Sequence, residues 1–372
     1  MRQKLKILFA NSIKMFAGGE VWMLTTMAEL RRRGHQVTLL CRPGTELARR
    51  ASAQGFDLFP LKIRGDFDPV SILHIRHWLQ AHPTDIILTN MDKELRLCGT
   101  AAKLAGGPVV IARRGIDYPL KNKLHYRLTY NYLTTHIVAN SQSTKQALLS
   151  NAPWLDPERI QVIYNGINPE HYLEHNTHDL REALNLPRDT TVIGFVGQLN
   201  ERKGFDTLLP AFKQVVADFP GIILLLAGTG DLEKSILDFA VKHQLQKNLR
   251  LLGFRTDIPN IMRTIDLLVL PSWWEGFGIV LIEALAAGKP CITTNVSSMP
   301  EIVSHNETGL IVPPKSVAAL YAAIKKLIAQ PELRQEMGQR GRQVVQQKFT
   351  LQTMVDQYEA LFYQLVGERK GA

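Results

Sequence analysis

Two glutamates, Glu275 and Glu283, flank the turn Gly276-Phe277-Gly278 with seven residues between them. The apolar run Leu267-Leu268-Val269-Leu270 precedes them and ends at Pro271, and Ala284-Leu285-Ala286-Ala287 follows up to Gly288-Lys289-Pro290. This order reads as strand, Gly-containing turn and helix, with Glu275 at the mouth of the turn and Glu283 inside the helix. A helix start of this kind turns backbone N–H groups toward an anion placed before it. The string Gly197-Gln198-Leu199-Asn200-Glu201-Arg202-Lys203-Gly204 likewise leaves an apolar run, Thr191 to Val196, and opens onto a helix near Phe205. Together these residues have the chemistry to hold a diphosphate bearing a sugar. Lys203, Arg202 and the turn N–H groups would meet a leaving group that departs negatively charged, and the two carboxylates would accept from hydroxyls. Plainer roles stay open at this point: a Glu283 that faces solvent, a Glu275 that caps the next helix, and an Arg202 that points to water. No set of His, Cys and Asp has metal-ligand spacing, no Asp-x-Asp pair is expected to hold a divalent ion on the diphosphate, and no Walker A string or nucleophile elbow occurs.

The elements that must position these groups alternate along both halves of the chain. Lys6 to Ala10 is continuously apolar after its first residue and reads as a buried parallel strand. Gly18-Gly19 follows, then a helical pattern to Arg31-Arg32-Arg33, Gly34 and the strand Gln36 to Leu40. The two glycines are either a tight turn or a place where a ligand comes close to backbone, and the dinucleotide spacing GxGxxG is missing. Asp85 to Asn90 and Pro108 to Ala112 are further strands, the second delivering Arg113-Arg114-Gly115 to the edge where open parallel sheets bind ligands. Asn140-Ser141 caps a helix from about Thr144 to Leu149. Asn165-Gly166-Ile167-Asn168-Pro169 and the polar stretch to His178 mark a linker. The second half adds strands at Ile222 to Leu226, Leu249 to Leu252, Leu267 to Leu270 and Cys291 to Thr293, with Gly228-Thr229-Gly230 and Gly253-Phe254-Arg255 just past strand ends. Helices fill the remainder: one from Pro331 to about Phe349, one over Thr350 to Leu365, then a tail, Gly367 to Ala372, expected to fray.

A chain of 372 residues is sized for about two domains. No apolar run is long enough to span a bilayer, and the N-terminus lacks the pattern of a signal peptide. Cys41, Cys98 and Cys291 are widely spaced and read as reduced thiols of a cytosolic protein. Charge is uneven: Met1 to Glu170 holds 23 Lys and Arg against 13 Asp and Glu, whereas His171 to Ala372 holds 21 of each. The positive half would attract nucleic acid, an anionic membrane or a phosphorylated acceptor, or is a solvated basic face. Lys121 to Thr135 interleaves basic residues with Tyr126, Tyr130 and Tyr132, which suits a membrane surface, stacked bases or a polar acceptor equally with a helix packing its tyrosines inward. No nucleic-acid recognition pattern accompanies the basic excess, so nucleic acid is not expected as a partner.

The whole chain resembles the retaining glycosyltransferases of the GT-B fold, specifically the GT4 group that includes bacterial lipopolysaccharide and capsule transferases. The resemblance rests on Glu275 to Glu283, supported in order by Asn165-Gly166-Ile167, Gly197 to Gly204, Pro300-Glu301-Ile302 and Thr308 to Pro314. It implies two Rossmann-like α/β/α domains facing across a cleft: an acceptor-binding domain over 1–168, a nucleotide-sugar-binding domain over 169–348, and a C-terminal helix over 349–372 that crosses back to the first domain. It implies that Lys203 binds the pyrophosphate, that Gly18 and Gly19 lie against donor phosphates or acceptor, and that Arg255 flanks the base. Glu275 would bind the transferred sugar, the backbone of Gly276, Phe277 and Gly278 would approach sugar and diphosphate, and Glu283 would hold the ribose. Family members retain anomeric configuration, need no essential metal and use no cofactor beyond the donor. Two positions depart from the pattern: many relatives carry Arg where this chain has Gln198, and His where it has Arg114. Arg202 or Arg114 would supply the missing phosphate cation, and Arg114 is expected at the reacting centre. A UDP-sugar donor, with a GDP-sugar second, and a lipid-linked or phosphorylated glycan acceptor are the expected partners. The resemblance implies a cytoplasmic protein, and the basic first half adds the expectation that it is peripheral on the cytoplasmic face of the inner membrane. Oligomeric state has no signal in the sequence.

Overall fold

The structure, a computed structural model, describes residues 3–173, 180–187 and 189–371. The chain divides into two compact units, one formed by Met1–Asn165 with Leu351–Ala372 and the other by Gly166–Thr350. Of the stretch expected to link them, residues 174–178 lie outside the described part. Among the described residues no helix is long and apolar enough to cross a membrane.

The first unit is built on seven strands: β1 (Lys6–Asn11), β2 (Gln36–Cys41), β3 (Asp57–Pro60), β4 (Ile86–Thr89), β5 (Val109–Arg114), β6 (His136–Ala139) and β7 (Ile160–Val162). They lie in the order β3-β2-β1-β4-β5-β6-β7 and every pairing is parallel. The second unit has six: β8 (Val192–Val196), β9 (Ile223–Ala227), β10 (Leu249–Gly253), β11 (Leu267–Leu270), β12 (Cys291–Thr294) and β13 (Gly309–Val312). Their order is β10-β9-β8-β11-β12-β13, again all parallel. Each is a doubly wound sheet whose strand order reverses once, at β1/β4 and at β8/β11, and such reversals open a crevice at the strand C-termini. Strands covered on both faces explain the unbroken apolar runs: Leu267, Leu268, Val269 and Leu270 are all buried.

The last helix, Leu351–Gly371, belongs to the first unit. Its Met354, Tyr358, Leu361 and Leu365 join one core layer with Trp22, Met23 and Met27 from the helix Gly18–Arg32. Trp22 and Tyr358 have ring centroids 5.8 Å apart, and the Trp22 indole N–H points at Met354 Sδ at 3.1 Å. At the rim of this layer Arg33 meets Glu29, Asp356 and Glu359, and the buried His35 bonds Glu359 at 2.8 Å while its Nδ1 accepts from the Leu5 N–H. Past Leu365, Val366 is buried and Arg369 donates to the Gly106 carbonyl at 2.8 Å, and the tail expected to fray is helical to Gly371. Cys41, Cys98 and Cys291 are buried free thiols, and burial pushes the Cys41 thiol up to about 11.

Candidate functional site

Lys203 and Glu275 are 72 positions apart in sequence and meet in the second unit. Lys203 ends a single 3-10 turn, Glu201–Lys203, that leaves β8, and Glu275 lies in the turn that leaves β11. Because β8 and β11 are neighbours at the reversal of strand order, their following turns must lie side by side. The contact between the turns is backbone on backbone. The Trp273 N–H donates to the Arg202 carbonyl at 2.8 Å, and Gly204, with φ 75°, starts the helix Phe205–Asp218. A Cβ on Gly204 would stand 2.1 Å from the Pro271 carbonyl oxygen, so only glycine permits this approach.

Inside that frame the Lys203 ammonium donates to Glu275 Oε2 at 2.5 Å, and Ser272 Oγ donates to the same oxygen at 3.2 Å. Both partners are nearly buried, Lys203 at 6% and Glu275 at 8% exposure. Arg202 approaches Glu275 Oε1 at 3.9 Å and Gln198 Oε1 at 3.5 Å, and its guanidinium lies 5.4 Å from the Trp274 ring centroid. Lysine has three donor positions and Glu275 occupies one, which leaves the ammonium able to serve an anion as well. Glu275 caps no helix: Gly278, at φ 79°, is the residue before the helix Ile279–Ala286. Phe277 is buried and meets Phe349 edge on, 6.5 Å between centroids, so it anchors the turn while its glycine neighbours keep the backbone open.

Glu283 is one turn into that helix and does not simply face water. Tyr172 Oη donates to Glu283 Oε1 at 2.9 Å. Burial raises the Glu283 carboxyl to about 7, against the pull of that hydrogen bond. A group poised there can accept from a hydroxyl or donate to one near neutral pH. Arg255, past β10, is held by Asp257 through two bonds of 2.6 and 2.8 Å, with the exposed Phe254 ring beside it.

The other sequence-selected residues belong to the first unit. Gly18 and Gly19 are the first residues of a helix and neither has a left-handed φ, so a tight turn is not what requires them. A Cβ on Gly18 would meet nothing within 4 Å, and one on Gly19 only Asn90 Nδ2 at 3.5 Å. Space is left open there beside the end of β4. Arg114 is the last residue of β5, which runs two residues beyond its expected end at Ala112. It donates to Asp92 Oδ1 at 2.8 Å and to Tyr130 Oη at 3.2 Å, and the Tyr130 hydroxyl donates to the same Asp92 oxygen at 2.5 Å. Its charge is thus already matched by a carboxylate. Tyr130 is fully buried, Tyr126 packs against the core and Tyr132 is exposed, so the basic and aromatic stretch divides between core and surface.

Sequence reasoning gave Ser272 and Tyr172 no role, and its expectation that no Asp-x-Asp pair occurs is wrong, because Asp66-Phe67-Asp68 is one. Asp68 caps the helix Pro69–Ala81, and Asp66 pairs with Arg96. Among the described residues no group of three or more His, Cys, Asp or Glu side chains could hold a metal ion.

The family described as "Glycosyltransferase Family 4" matches residues 16–171, and "Glycosyl transferases group 1" matches residues 176–344. The UDP-Gal:alpha-D-GlcNAc-diphosphoundecaprenol alpha-1,3-galactosyltransferase of Escherichia coli is 25% identical over 388 residues, covering 98% of each chain. The capsular polysaccharide biosynthesis glycosyltransferase CapM of Staphylococcus aureus is 31% identical over 245 residues, 64% of each chain. The crystal structure of a glycosyltransferase from Rickettsia africae superimposes with a TM-score of 0.89 at 20% identity, over 98% of this chain and 99% of that one. With two Rossmann-like sheets, a C-terminal helix that belongs to the first unit and family matches over 16–171 and 176–344, this chain is a nucleotide-sugar-dependent glycosyltransferase of the GT-B fold, related to the GT4 family and to the sugar transferases of lipopolysaccharide and capsule assembly.

Proposed function

We propose that this enzyme moves a sugar, with retention of anomeric configuration and without a metal ion, from a UDP-sugar to a lipid-linked or phosphorylated glycan in surface polysaccharide assembly. The second unit holds the donor and the first the acceptor. The observation that carries the reading is the buried Lys203–Glu275 pair at the reversal of strand order, beside a glycine-started helix. Lys203 and the N–H groups at the start of the helix Ile279–Ala286 face the diphosphate, and Arg202 supplies the second cation in place of the arginine missing at Gln198. Glu275 accepts from a sugar hydroxyl, Glu283 holds the ribose, and Arg255 with the backbone past β10 borders the base. As the family resemblance implies, the acceptor hydroxyl attacks the anomeric carbon from the face the phosphate leaves. The C–O bond to phosphate breaks and the acceptor proton passes to a phosphate oxygen. Glu275, tied to Lys203 and Ser272, positions rather than attacks. Gly18, Gly19 and Arg114 then belong to the acceptor side, Arg114 acting with its Asp92 and Tyr130 partners.

The choice of UDP and of a lipid diphosphate acceptor is supported by the name of the E. coli relative that aligns end to end. The proposed location is peripheral, on the cytoplasmic face of a membrane, and the first unit supports the membrane part of it. Leu124, Leu128 and Tyr132 recur every four residues on the helix Leu124–Tyr132 and are all exposed, Leu124 at 70%. The exposed Lys121, Lys123 and Arg127 flank that apolar stripe, the composition that anchors a helix on an anionic membrane.

The test is thermal stabilisation by UDP-, GDP-, ADP- and CMP-sugars in EDTA, on the natural protein and on Glu283→Ala. A ligand at a hundred times its Kd should add about 2.7 kcal/mol to the folded state. A UDP-selective rise that the variant loses is expected. No rise with any donor, or an equal rise in the variant, would reject the reading.

A further inference from the structure

The turn that carries Glu275 is gripped from outside by the segment after β12. Thr294 Oγ1 donates to the Ser272 carbonyl at 2.5 Å. Ser297 Oγ accepts the Glu275 N–H at 3.2 Å, and Ser298 Oγ donates to the Phe277 carbonyl at 2.8 Å. Three hydroxyls from Thr294 to Ser298 thus meet the backbone of the turn at its start, at the glutamate itself and next to the glycine that begins the helix. Thr294 and Ser298 are buried. Ser297 has φ 51°, a left-handed conformation that an L-residue with a Cβ rarely adopts. Backbone held there persists only where the surroundings over-determine it, and such residues gather at functional sites. β11 and β12 are parallel neighbours, so the segment after one strand lies beside the turn after the other. That adjacency does not by itself require three side-chain bonds to one turn.

We infer that Ser297 and Ser298 are positioning residues of the donor site, which set the register of the Glu275 turn and through it the placement of the transferred sugar. Ser297 fixes the backbone of the residue whose carboxylate receives the sugar, and Ser298 fixes the carbonyl beside Gly278. The inference rests on the donor-site reading, and two readouts keep the two apart. In the first, amide hydrogen exchange of the unliganded protein is followed at Glu275. Ser297→Gly removes the acceptor and relieves the left-handed φ, so the Glu275 N–H should exchange at least tenfold faster. Ser297→Asn keeps a side-chain acceptor and tolerates the same φ, and should restore protection. In the second, UDP and UDP-sugar are titrated into each protein. Ser297→Gly and Ser298→Ala should bind UDP as the natural protein does, yet lose most of the further affinity that the sugar adds, with Ser297→Asn restoring it.

Unchanged Glu275 exchange in Ser297→Gly, or an undiminished sugar-dependent gain in both variants, would overturn the inference. Equal loss of UDP and UDP-sugar affinity would also overturn it, because that pattern marks a general defect of the unit. A natural protein that binds neither ligand would reject the donor-site reading instead, and the exchange result would still decide whether Ser297 holds the turn.

Discussion

Glu283→Gln should abolish a pH dependence that the natural protein carries in its second unit. The Glu283 carboxyl titrates at about 7 in the fold, against 4.5 as its ordinary value. Below 4.5 it is protonated folded or unfolded and has no effect on stability. As pH rises from there, the unfolded chain gives up a proton that the folded chain keeps, so stability falls until the folded group also ionises near 7. At about 1.4 kcal/mol per pH unit the full shift is worth about 3 kcal/mol, and the water that reaches this partly buried carboxyl lowers that to about 2. Glutamine keeps the oxygen that accepts from Tyr172 and never titrates. Urea denaturation of both proteins at intervals from pH 4 to 9, read on the transition of the second unit, should show the variant gaining about 2 kcal/mol relative to the natural protein up to pH 7 and nothing further above it. A flat difference would mean that the carboxyl is not desolvated. A difference of opposite sign would mean that Tyr172 stabilises the ionised form more than burial disfavours it, so that the carboxyl is not raised at all.

Three further outcomes follow from the geometry. Lys203→Ala or Glu275→Ala each strands a buried charge and should cost about 3 kcal/mol in a urea titration, whereas Lys203→Met with Glu275→Gln together should cost clearly less than the sum. Gly18→Ala should leave thermal stability unchanged or raised by up to about 1 kcal/mol, since its Cβ meets nothing, while slowing transfer to the acceptor. A loss of stability with unchanged transfer would reverse that assignment. Replacing Lys121 and Lys123 with Gln, or Leu124 and Leu128 with Ser, should weaken sedimentation with vesicles containing anionic lipid, the lysine variant losing its remaining salt dependence; unchanged sedimentation of both would remove this face from the membrane.

The sequence made the doubly wound plan legible wherever local pattern reports burial. Leu267–Leu270, Ile223–Ala227 and Val192–Val196 are continuous apolar runs because helices cover both faces of a parallel sheet. The edge strand Asp57–Pro60 escaped notice because its residues are only partly covered and it ends in proline. The Glu275 turn could be recognised because its strand, glycines and helix are contiguous. Its partners could not be read in the same way. Lys203 stands 72 positions away and Tyr172 stands 111 positions from Glu283, and nothing near either residue records those meetings. Arg114 illustrates the limit from the other side. Its position at a strand end is visible in sequence, but its engagement by Asp92 and Tyr130 arises only when β5 and the helices Asp92–Leu104 and Leu124–Tyr132 come together.

In the proposed donor site the Lys203–Glu275 pair receives a nucleotide-sugar, Lys203 through the diphosphate and Glu275 through the sugar. Calorimetric titration of UDP and of a UDP-sugar in EDTA, into the natural protein, Lys203→Ala and Glu275→Ala, tests it most directly. Lys203→Ala should weaken both ligands by about tenfold or more, a loss of about 1.4 kcal/mol, while Glu275→Ala should bind UDP normally and forfeit only the increment due to the sugar. Folded variants that bind both ligands as the natural protein does would contradict it.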